Sequence, residues 1–194
     1  MSGQSDLSQY DNSWYQPGGN PLSRLLWYFV NALFFINPLN PFSGLKVGLL
    51  RLFGAKIGKG VVIKPGVNIK YPWHLQIGNH CWIGEKAWID NLTTVVLEDN
   101  VCLSQGAMLL TGNHDYKRPG FDLMVKGIHL ENGSWVGAKS VVGPGVRLHS
   151  HAILAVQSVA NQDLDAYGIY QGNPAKKIRE RKIDSGVTEK VRLT

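Results

Sequence analysis

The sequence predicts an all-β solenoid, a stack of short strands wound into triangular coils. Three observations predict it: an aliphatic residue recurs every six positions, a small or β-branched residue follows four places later, and Pro-Gly pairs occupy turn positions within the unit. A period of six matches neither the 3.6 residues of a helical turn nor the two residues of strand alternation. A short strand followed by a corner has this length, and stacked coils of three units bury a continuous aliphatic column.

The repeat begins at Ile57 and continues to Ala160, with two-residue slips and one long interruption. The fifth position of each unit is mostly Val, Ala, Cys, Ser or Thr. Pro65-Gly66 and Pro144-Gly145 fall where the second and third residues of a type II turn would lie. The first positions, all Ile, Leu or Val except the last, are Ile57, Ile63, Ile69, Ile77, Ile83, Ile89, Leu97, Leu103, Leu109, Leu130, Val136, Val142, Leu148, Leu154 and Ala160.

Three regions follow from this frame. Residues 1–54 form a polar arm and a helical cap, residues 55–168 form the solenoid with a loop over 115–128, and residues 169–194 form a tail. Helices are expected around Ser23–Ile36 and Phe42–Phe53, because prolines stop the first and permit the second to start. The basic stretch KKIRERK predicts a short tail helix.

The first predicted helix is apolar almost all round, and two interpretations stand. It closes the open end of the β-column, which would otherwise expose a strand edge, or it contacts a membrane surface. The longest apolar stretch, Leu25 to Ile36, is shorter than the roughly 20 residues that a membrane span needs.

Charge and cysteine content narrow the function classes. The formal net charge of +6 suits an anionic ligand, a nucleic acid or a membrane surface. Outside the tail the basic residues are scattered and no nucleic-acid recognition motif occurs, so we expect no nucleic-acid partner. Cys81 and Cys102 form no CxxC pair, and no signal peptide is recognisable, which favours reduced thiols in a cytoplasmic protein.

The interruption, LLTGNHDYKRPGFDLMVKGIHL (109–130), carries the candidate chemistry. His114 is the sixth residue of the unit LLTGNH, so the frame places it in the ladder, with the loop starting one residue later. The unperturbed pKa of histidine, about 6.5, makes it the natural general base at neutral pH. His129 lies where the ladder resumes and is predicted to be a bystander.

Several segments together resemble a known family: WIGEKAWIDN, LSQGAMLLTGNHDY, FDL, WVGAKSVVGPGV and GNPAKKI. The chain is similar to the hexapeptide-repeat acyltransferases, and within them to the WcaF-like colanic acid biosynthesis acetyltransferases. The resemblance implies a left-handed β-helix, an exception to the right-handed crossover rule. It also implies a homotrimer that binds acetyl-CoA between neighbouring solenoids and acetylates a hydroxyl, usually on a sugar, without a metal. The implied role is surface-glycan biosynthesis in the cytoplasm, including at the inner face of the membrane.

The same resemblance assigns roles to individual residues. His114 matches the catalytic base, and Asp115 or Glu85 would orient its imidazole, although Asp115 could instead only cap the loop. Glu85, Asp90 and Asn91 match positions where relatives bind the acceptor. The alternative for those three is a set of exposed corner residues.

The coenzyme site is implied in the same way. Trp135 matches an aromatic residue that lines the coenzyme cleft, and the N–H near Ala138 of a neighbouring subunit would stabilise the oxyanion. Gly137, Ala138 and Ser158 would leave room for the pantetheine arm, while Lys176, Lys177 and Arg179 would meet the phosphates. Relatives often have Thr-Lys where this chain has Asn161-Gln162, which puts the contacts to the adenine end in doubt.

Two other functions remain open. The six histidines could include a three-histidine zinc site, as in the γ-class carbonic anhydrases, although their spacing matches no known ligand pattern. A solenoid can also be a non-catalytic binding protein, against which the intact TGNHDY motif argues.

Overall fold

A computed structural model describes residues 3–184 and confirms the solenoid. Three parallel sheets form its faces. The first face contains β1 (Lys56–Ile57), β4 (Leu75–Ile77), β7 (Val95–Leu97), β12 (Ile128–Leu130) and β15 (Arg147–Leu148). The second contains β2 (Val62–Ile63), β5 (Trp82–Ile83), β8 (Cys102–Leu103), β13 (Trp135–Val136), β16 (Ile153–Leu154), β18 (Gly168–Gly172) and the antiparallel β19 (Ala175–Glu180). The third contains β3 (Asn68–Ile69), β6 (Trp88–Asp90), β9 (Met108–Leu110), β14 (Val141–Val142) and β17 (Val159–Ala160).

The aliphatic column lies inside, as the repeat predicts. Every first-position residue from Ile63 to Ala160 is at most 3% exposed, and only Ile57, in the terminal coil, is partly exposed. Equivalent residues stack in register, so that Ile63 pairs with Ile83 and Ile83 with Leu103. Identical spacing in successive coils is what keeps this core continuous.

The corners use the left-handed backbone region. We name them corner I (first to second face), corner II (second to third) and corner III (third to first). Gly66 and Gly145 have φ of 76° and 82°, which confirms the type II geometry expected of the Pro-Gly pairs. At corner II the equivalent residues Lys86 and Lys139 adopt φ of 57° and 56° without being glycine. Repetition of one corner geometry therefore outweighs the local preference of each side chain.

The helical cap closes the open end of the column. It consists of α1 (Pro21–Val30), a π-helical turn (Asn31–Ile36) and α2 (Ser43–Leu52). Trp27, Phe35 and Leu50 pack on the column. The cap also satisfies the free edge of each face: Trp27 Nε1 donates to the carbonyl of Ile69 (2.9 Å), Lys46 Nζ to that of Lys64 (3.0 Å) and Arg51 Nη2 to that of Ile57 (2.9 Å). The capping interpretation is confirmed.

The arm before the cap runs along corner III, and includes a short 3₁₀ turn at Leu7–Gln9. Trp73, in a second 3₁₀ turn (Pro72–His74), donates from Nε1 to the carbonyl of Pro17 (2.8 Å), and His74 Nε2 lies 3.1 Å from the same oxygen. Burial lowers the pKa of His74, so the ring is neutral and Nε2–H donates. The arm is thus a fixed part of corner III.

The tail differs from the prediction. Residues 176–182 were expected to be helical, but Lys176 to Glu180 lie in β19, which pairs with β18 at the last edge of the second face. An unpaired edge needs a partner, and that demand overrides the helical preference of a charged segment. Positions 185–194 of the predicted tail helix lie outside the described residues. No helix within 3–184 has both the length and the apolar character to cross a membrane.

Candidate active site

A hairpin at corner III carries His114. After β9 the chain leaves the solenoid as β10 (Gly112–His114), which pairs antiparallel with β11 (Leu123–Val125). The ladder was predicted to include His114, and this is wrong because the chain leaves the solenoid a few residues earlier. The ladder ends at Thr111, whose Oγ1 donates to the carbonyl of Asp90 in the coil before (2.8 Å).

The geometry of the His114 ring fixes its tautomer. Nδ1 lies 2.8 Å from the carbonyl oxygen of Phe121. Because a carbonyl only accepts hydrogen bonds, Nδ1 carries the proton and Nε2 has the free lone pair. The Phe121 ring stacks on the imidazole at 5.5 Å, and Tyr10 of the arm lies 5.9 Å away on a tilted plane. These contacts fix the orientation of the ring, with Nδ1 directed at the carbonyl of Phe121.

Phe121 was not predicted to have this role. Its φ is 58°, a left-handed conformation that is unusual for a bulky residue and is maintained only where the surroundings impose it. This conformation accompanies a main-chain carbonyl that is directed at Nδ1. A carbonyl leaves no trace in the amino-acid sequence, so only the FDL segment hinted at it.

Asp115 and Glu85 do not orient the histidine in this structure. The Asp115 carboxylate accepts from Lys117 N (3.1 Å) and lies 3.7 Å from Arg118 Nε, so it caps the hairpin turn. Glu85 lies at corner II, and its exposed side chain is separated from corner III by the third face. The predicted orienting role is wrong within one chain, because the carbonyl of Phe121 already occupies Nδ1.

A cleft of about 410 Å³ opens beside His114. Asp90 and Lys70 lie on one side, with Asp90 Oδ1 3.4 Å from Lys70 Nζ. This Asp90 oxygen is buried and has no hydrogen-bond partner among residues 3–184. A buried carboxylate oxygen without a donor is costly, and a ligand hydroxyl would supply one. Asp90 thus lies where the prediction put an acceptor-binding group.

The arm supplies the opposite wall of this cleft, which the sequence did not predict. Tyr10, Asn12 and Tyr15 line it. Tyr15 donates its hydroxyl proton to the carbonyl of Leu92 (2.7 Å), and burial raises the pKa of Tyr15 well above its usual value. Tyr15 therefore remains neutral and holds the arm in place. The signal available in the sequence was the concentration of Tyr, Trp and Asn in a polar segment.

Asn91 has a structural role instead of the predicted acceptor contact. It is 0% exposed; Nδ2 donates to the carbonyl of Tyr71 (2.6 Å) and Oδ1 accepts from Tyr71 N (3.0 Å). Both ends of the amide are therefore used within corner III, where Asn91 joins two coils.

Replacement of Asn91 by alanine is expected to lower the free energy of unfolding by about 1–3 kcal/mol, because two main-chain groups of Tyr71 lose their partners in a buried position. The exposed Asn161→Ala is the matched control, expected within about 0.5 kcal/mol of wild type. Urea denaturation measures both. Unchanged stability together with weaker acceptor binding would restore the original assignment.

A second cleft of about 260 Å³ lies on the other side of the hairpin. Met124 and Lys126 line it with Gly143 and Asn161, and Asn113 lines both clefts. The hairpin that carries His114 therefore separates two adjoining spaces along corner III. Lys126, which the sequence did not single out, brings a positive charge to the second of them.

The predicted coenzyme residues lie elsewhere on the chain. Trp135 is 43% exposed on the second face, where Nε1 donates to Ser104 Oγ (2.8 Å). Ala138 lies at corner II, and its N–H donates to no residue between 3 and 184. Lys176 and Arg179 are exposed on β19. These groups share the second face and corner II, whereas His114 is at corner III.

Two of the predicted coenzyme contacts need correction, and a third residue, Lys177, has ion-pair partners while its phosphate contact stays a prediction. Ser158 is 0% exposed; its Oγ donates to the carbonyl of Val156 and accepts from Gly172 N, so it contributes nothing to the outer surface. Gly137 is buried against the next coil, where a Cβ would lie 2.7 Å from Val156 N, so the position requires glycine. Lys177 is paired with Glu180 (2.8 Å) and Asp165 (3.5 Å). Coil stacking accounts for the small residues at 137 and 158.

Two other histidines are paired with carboxylates. His129 Nε2 lies 2.7 Å from Glu98 Oε1, and His149 Nδ1 3.0 Å from Glu131 Oε1. Over residues 3–184 there is no group of three His, Cys, Asp or Glu side chains arranged to hold a metal ion. Burial raises the pKa of Cys81 to about 11, so its thiol stays protonated at neutral pH.

Comparisons with known proteins agree with this geometry. No protein-family model matches the chain. The colanic acid biosynthesis acetyltransferase WcaF of Escherichia coli strain K12 is 35% identical over 164 residues, which cover 84% of this chain and 90% of that protein. A hexapeptide-repeat acetyltransferase from Vibrio cholerae O1 biovar eltor, complexed with acetyl-CoA, superposes with a TM-score of 0.74 at 21% identity, over 84% of this chain and 88% of that one. A galactoside acetyltransferase in complex with coenzyme A gives 0.74 at 23% identity, over 84% and 82%.

The solved structures share the fold, and the relative from E. coli extends the likeness over nearly the whole solenoid, the His114 hairpin included. The predicted left-handed parallel β-helix is thereby confirmed. The chain belongs to the WcaF-like acetyltransferases of the hexapeptide-repeat family.

Proposed function

We propose that this protein transfers an acetyl group from acetyl-CoA to a hydroxyl of a saccharide, with His114 as the general base. The observation that carries the proposal is the His114 ring beside a cleft: the carbonyl of Phe121 holds Nδ1–H, while Nε2 has no hydrogen-bond partner among residues 3–184. An imidazole held in this way can accept a proton only at Nε2. The buried oxygen of Asp90 in the same cleft offers an acceptor for a second sugar hydroxyl.

His114 can serve both proton transfers of the reaction. The acceptor oxygen attacks the thioester carbonyl as its proton passes to Nε2 of His114, and the carbonyl oxygen becomes the oxyanion of a tetrahedral intermediate. Collapse of the intermediate breaks the C–S bond, and the imidazolium returns the proton to the sulfur, giving the ester and coenzyme A. A main-chain N–H is the expected oxyanion donor, and Ala138 has one that is free among the described residues.

The site is complete only with a second copy of the chain. His114 and the two clefts lie at corner III, but Trp135 and Ala138 lie on the second face and corner II, across the third face. A cyclic arrangement, in which one side of each copy meets a different side of the next, would bring the two sets together. We propose a homotrimer on this basis, with the pantetheine arm in the cleft of Lys126 and Asn161. Exposed Trp82, which neighbours Trp135 across β8, supports a contact on the second face.

The biological setting follows from the relative. The WcaF protein is named for colanic acid biosynthesis, so we propose that the acceptor belongs to a surface polysaccharide under assembly. Both cysteines are free in the structure, which supports a reducing compartment such as the cytoplasm.

Asp90→Asn is expected to lower kcat/KM for the acceptor about tenfold, because a neutral amide replaces a charged hydrogen-bond acceptor of the same shape. The KM for acetyl-CoA serves as the internal control and is expected to stay constant. An equal rise in both KM values would instead show a general disturbance of corner III.

The activity is tested with purified protein, acetyl-CoA and a panel of nucleotide sugars and lipid-linked saccharides. Free thiol reports turnover. Acceptor-dependent thiol release that His114→Ala lacks is the expected result. Thiol release that His114→Ala retains, or stoichiometric zinc that the activity requires, would overturn the proposal.

A further inference from the structure

The outer surface of the helical cap is apolar and has no partner among residues 3–184. The inner side of the cap packs on the column, but many large side chains of the cap are exposed on its outer side. Leu39 is 85% and Phe42 69% exposed, between the π-helical turn and α2. The others are Leu22, Leu25, Leu26, Tyr28, Phe29, Leu33, Ile36, Leu45 and Leu52. Isolated exposed apolar residues are ordinary, but a cluster of this size marks an interaction surface.

The chain segment that forms this surface is basic. Between positions 12 and 84 the sequence contains no Asp or Glu. The basic residues of this stretch are Arg24, Lys46, Arg51, Lys56, Lys59, Lys64 and Lys70. Lys46 is buried, and the other six remain at or near the surface. Asp90 offsets the charge of Lys70, and the other five exposed or partly exposed basic side chains leave this end positive.

We infer that the helical cap docks on an anionic lipid bilayer. Exposed Leu and Phe side chains enter the boundary between headgroups and acyl chains, and the surrounding Lys and Arg side chains are attracted to anionic headgroups. A second copy of the same surface fits less well, because a symmetric pair would bring two positive ends together.

The cap also adjoins the candidate active site. A cleft of about 380 Å³ runs between α1 and the third face, with Arg24 and Trp88 on its walls. Lys70, Tyr71 and Asp90 line both this cleft and the one beside His114. A molecule held in the bilayer surface would therefore reach His114 past Arg24, Lys70 and Asp90. This last point rests on the proposed function, whereas bilayer binding does not.

The test is sedimentation of the full-length protein with vesicles of phosphatidylcholine, alone or with about 30 mol % phosphatidylglycerol. The double variant Leu39→Glu/Phe42→Glu changes side chains that contribute nothing to the core, and Ile178→Glu on β19 is the matched control for an exposed apolar residue. We expect binding to the anionic vesicles at least about tenfold tighter than to the neutral ones, weakened by salt. The double variant should lose at least about tenfold in binding, and the control should not.

Two results would overturn the inference. One is absence of binding to the anionic vesicles. The other is a double variant that keeps its vesicle binding but has a different oligomeric mass by light scattering, which would make the cap a contact between copies. Neither result depends on acetyl transfer, so loss of the membrane inference leaves the proposed reaction intact.

Discussion

His114→Ala is expected to lower kcat for acetyl transfer by about 10²–10⁴-fold, the usual contribution of a positioned general base. The substitution removes Nε2, the free ring nitrogen beside the cleft, together with the hydrogen bond to the carbonyl of Phe121. The ring is exposed in the single chain, so the free energy of unfolding should change little. Thiol release at saturating acetyl-CoA measures the effect.

His114→Asn refines this experiment. An amide nitrogen can still donate to the carbonyl of Phe121 but cannot act as a base near neutral pH. If it loses as much activity as alanine, proton transfer is the function of the ring. His129→Gln, in a pair with Glu98 on the first face, is the matched histidine control. Near-wild-type turnover by His114→Ala would exclude His114 from the mechanism.

Trp27→Ala is expected to cost about 3–5 kcal/mol of unfolding free energy, the range for deleting a buried Trp side chain. Trp27 is 2% exposed, packs against Phe35 and Phe53 at ring distances of 5.1 and 5.3 Å, and donates to the carbonyl of Ile69. Its loss leaves a cavity and an open strand edge at once. Urea unfolding followed by circular dichroism gives the value.

Two other variants separate these contributions. Trp27→Phe keeps most of the ring and removes the hydrogen bond to Ile69, so we expect the free energy of unfolding to fall by about 1 kcal/mol. Tyr28→Ala, the exposed neighbour on the same helix, should remain within about 0.5 kcal/mol of wild type. A Trp27→Ala protein as stable as Tyr28→Ala would mean that the solenoid does not depend on its cap.

The column was predictable because each coil repeats one physical requirement. An inward aliphatic residue from Ile63 onward is buried in every coil, so periodicity alone reveals it. The tail was not predictable in this way. Lys176 to Glu180 have helical preferences, and only the free edge beside β18 makes them a strand. Such an edge exists only once the rest of the fold is formed.

The candidate site also contains features that the sequence reveals and features that only the folded chain defines. His114 was singled out by its side-chain chemistry together with the family motif, and Asp90 by the resemblance; the roles of both stay predictions. The carbonyl of Phe121, by contrast, belongs to the main chain, and its direction depends on a φ of 58° that the sequence does not encode visibly. Asn91 and Ser158 were misassigned because a polar residue that bridges coils and one that binds a ligand look alike until burial is known.

Because the coils stack at a regular spacing, the number of coils between two levels of the solenoid sets the distance between them. The hairpin with His114 follows the third coil, so two coil spacings of about 4.8 Å separate its level from the first coil, next to the cap. With the cap on a bilayer, the base would stand at a height set by the number of coils and not by any single side chain. Insertion of one complete coil between the cap and the first coil would raise that height by one spacing, and thereby change which sugar of an anchored saccharide lies within reach.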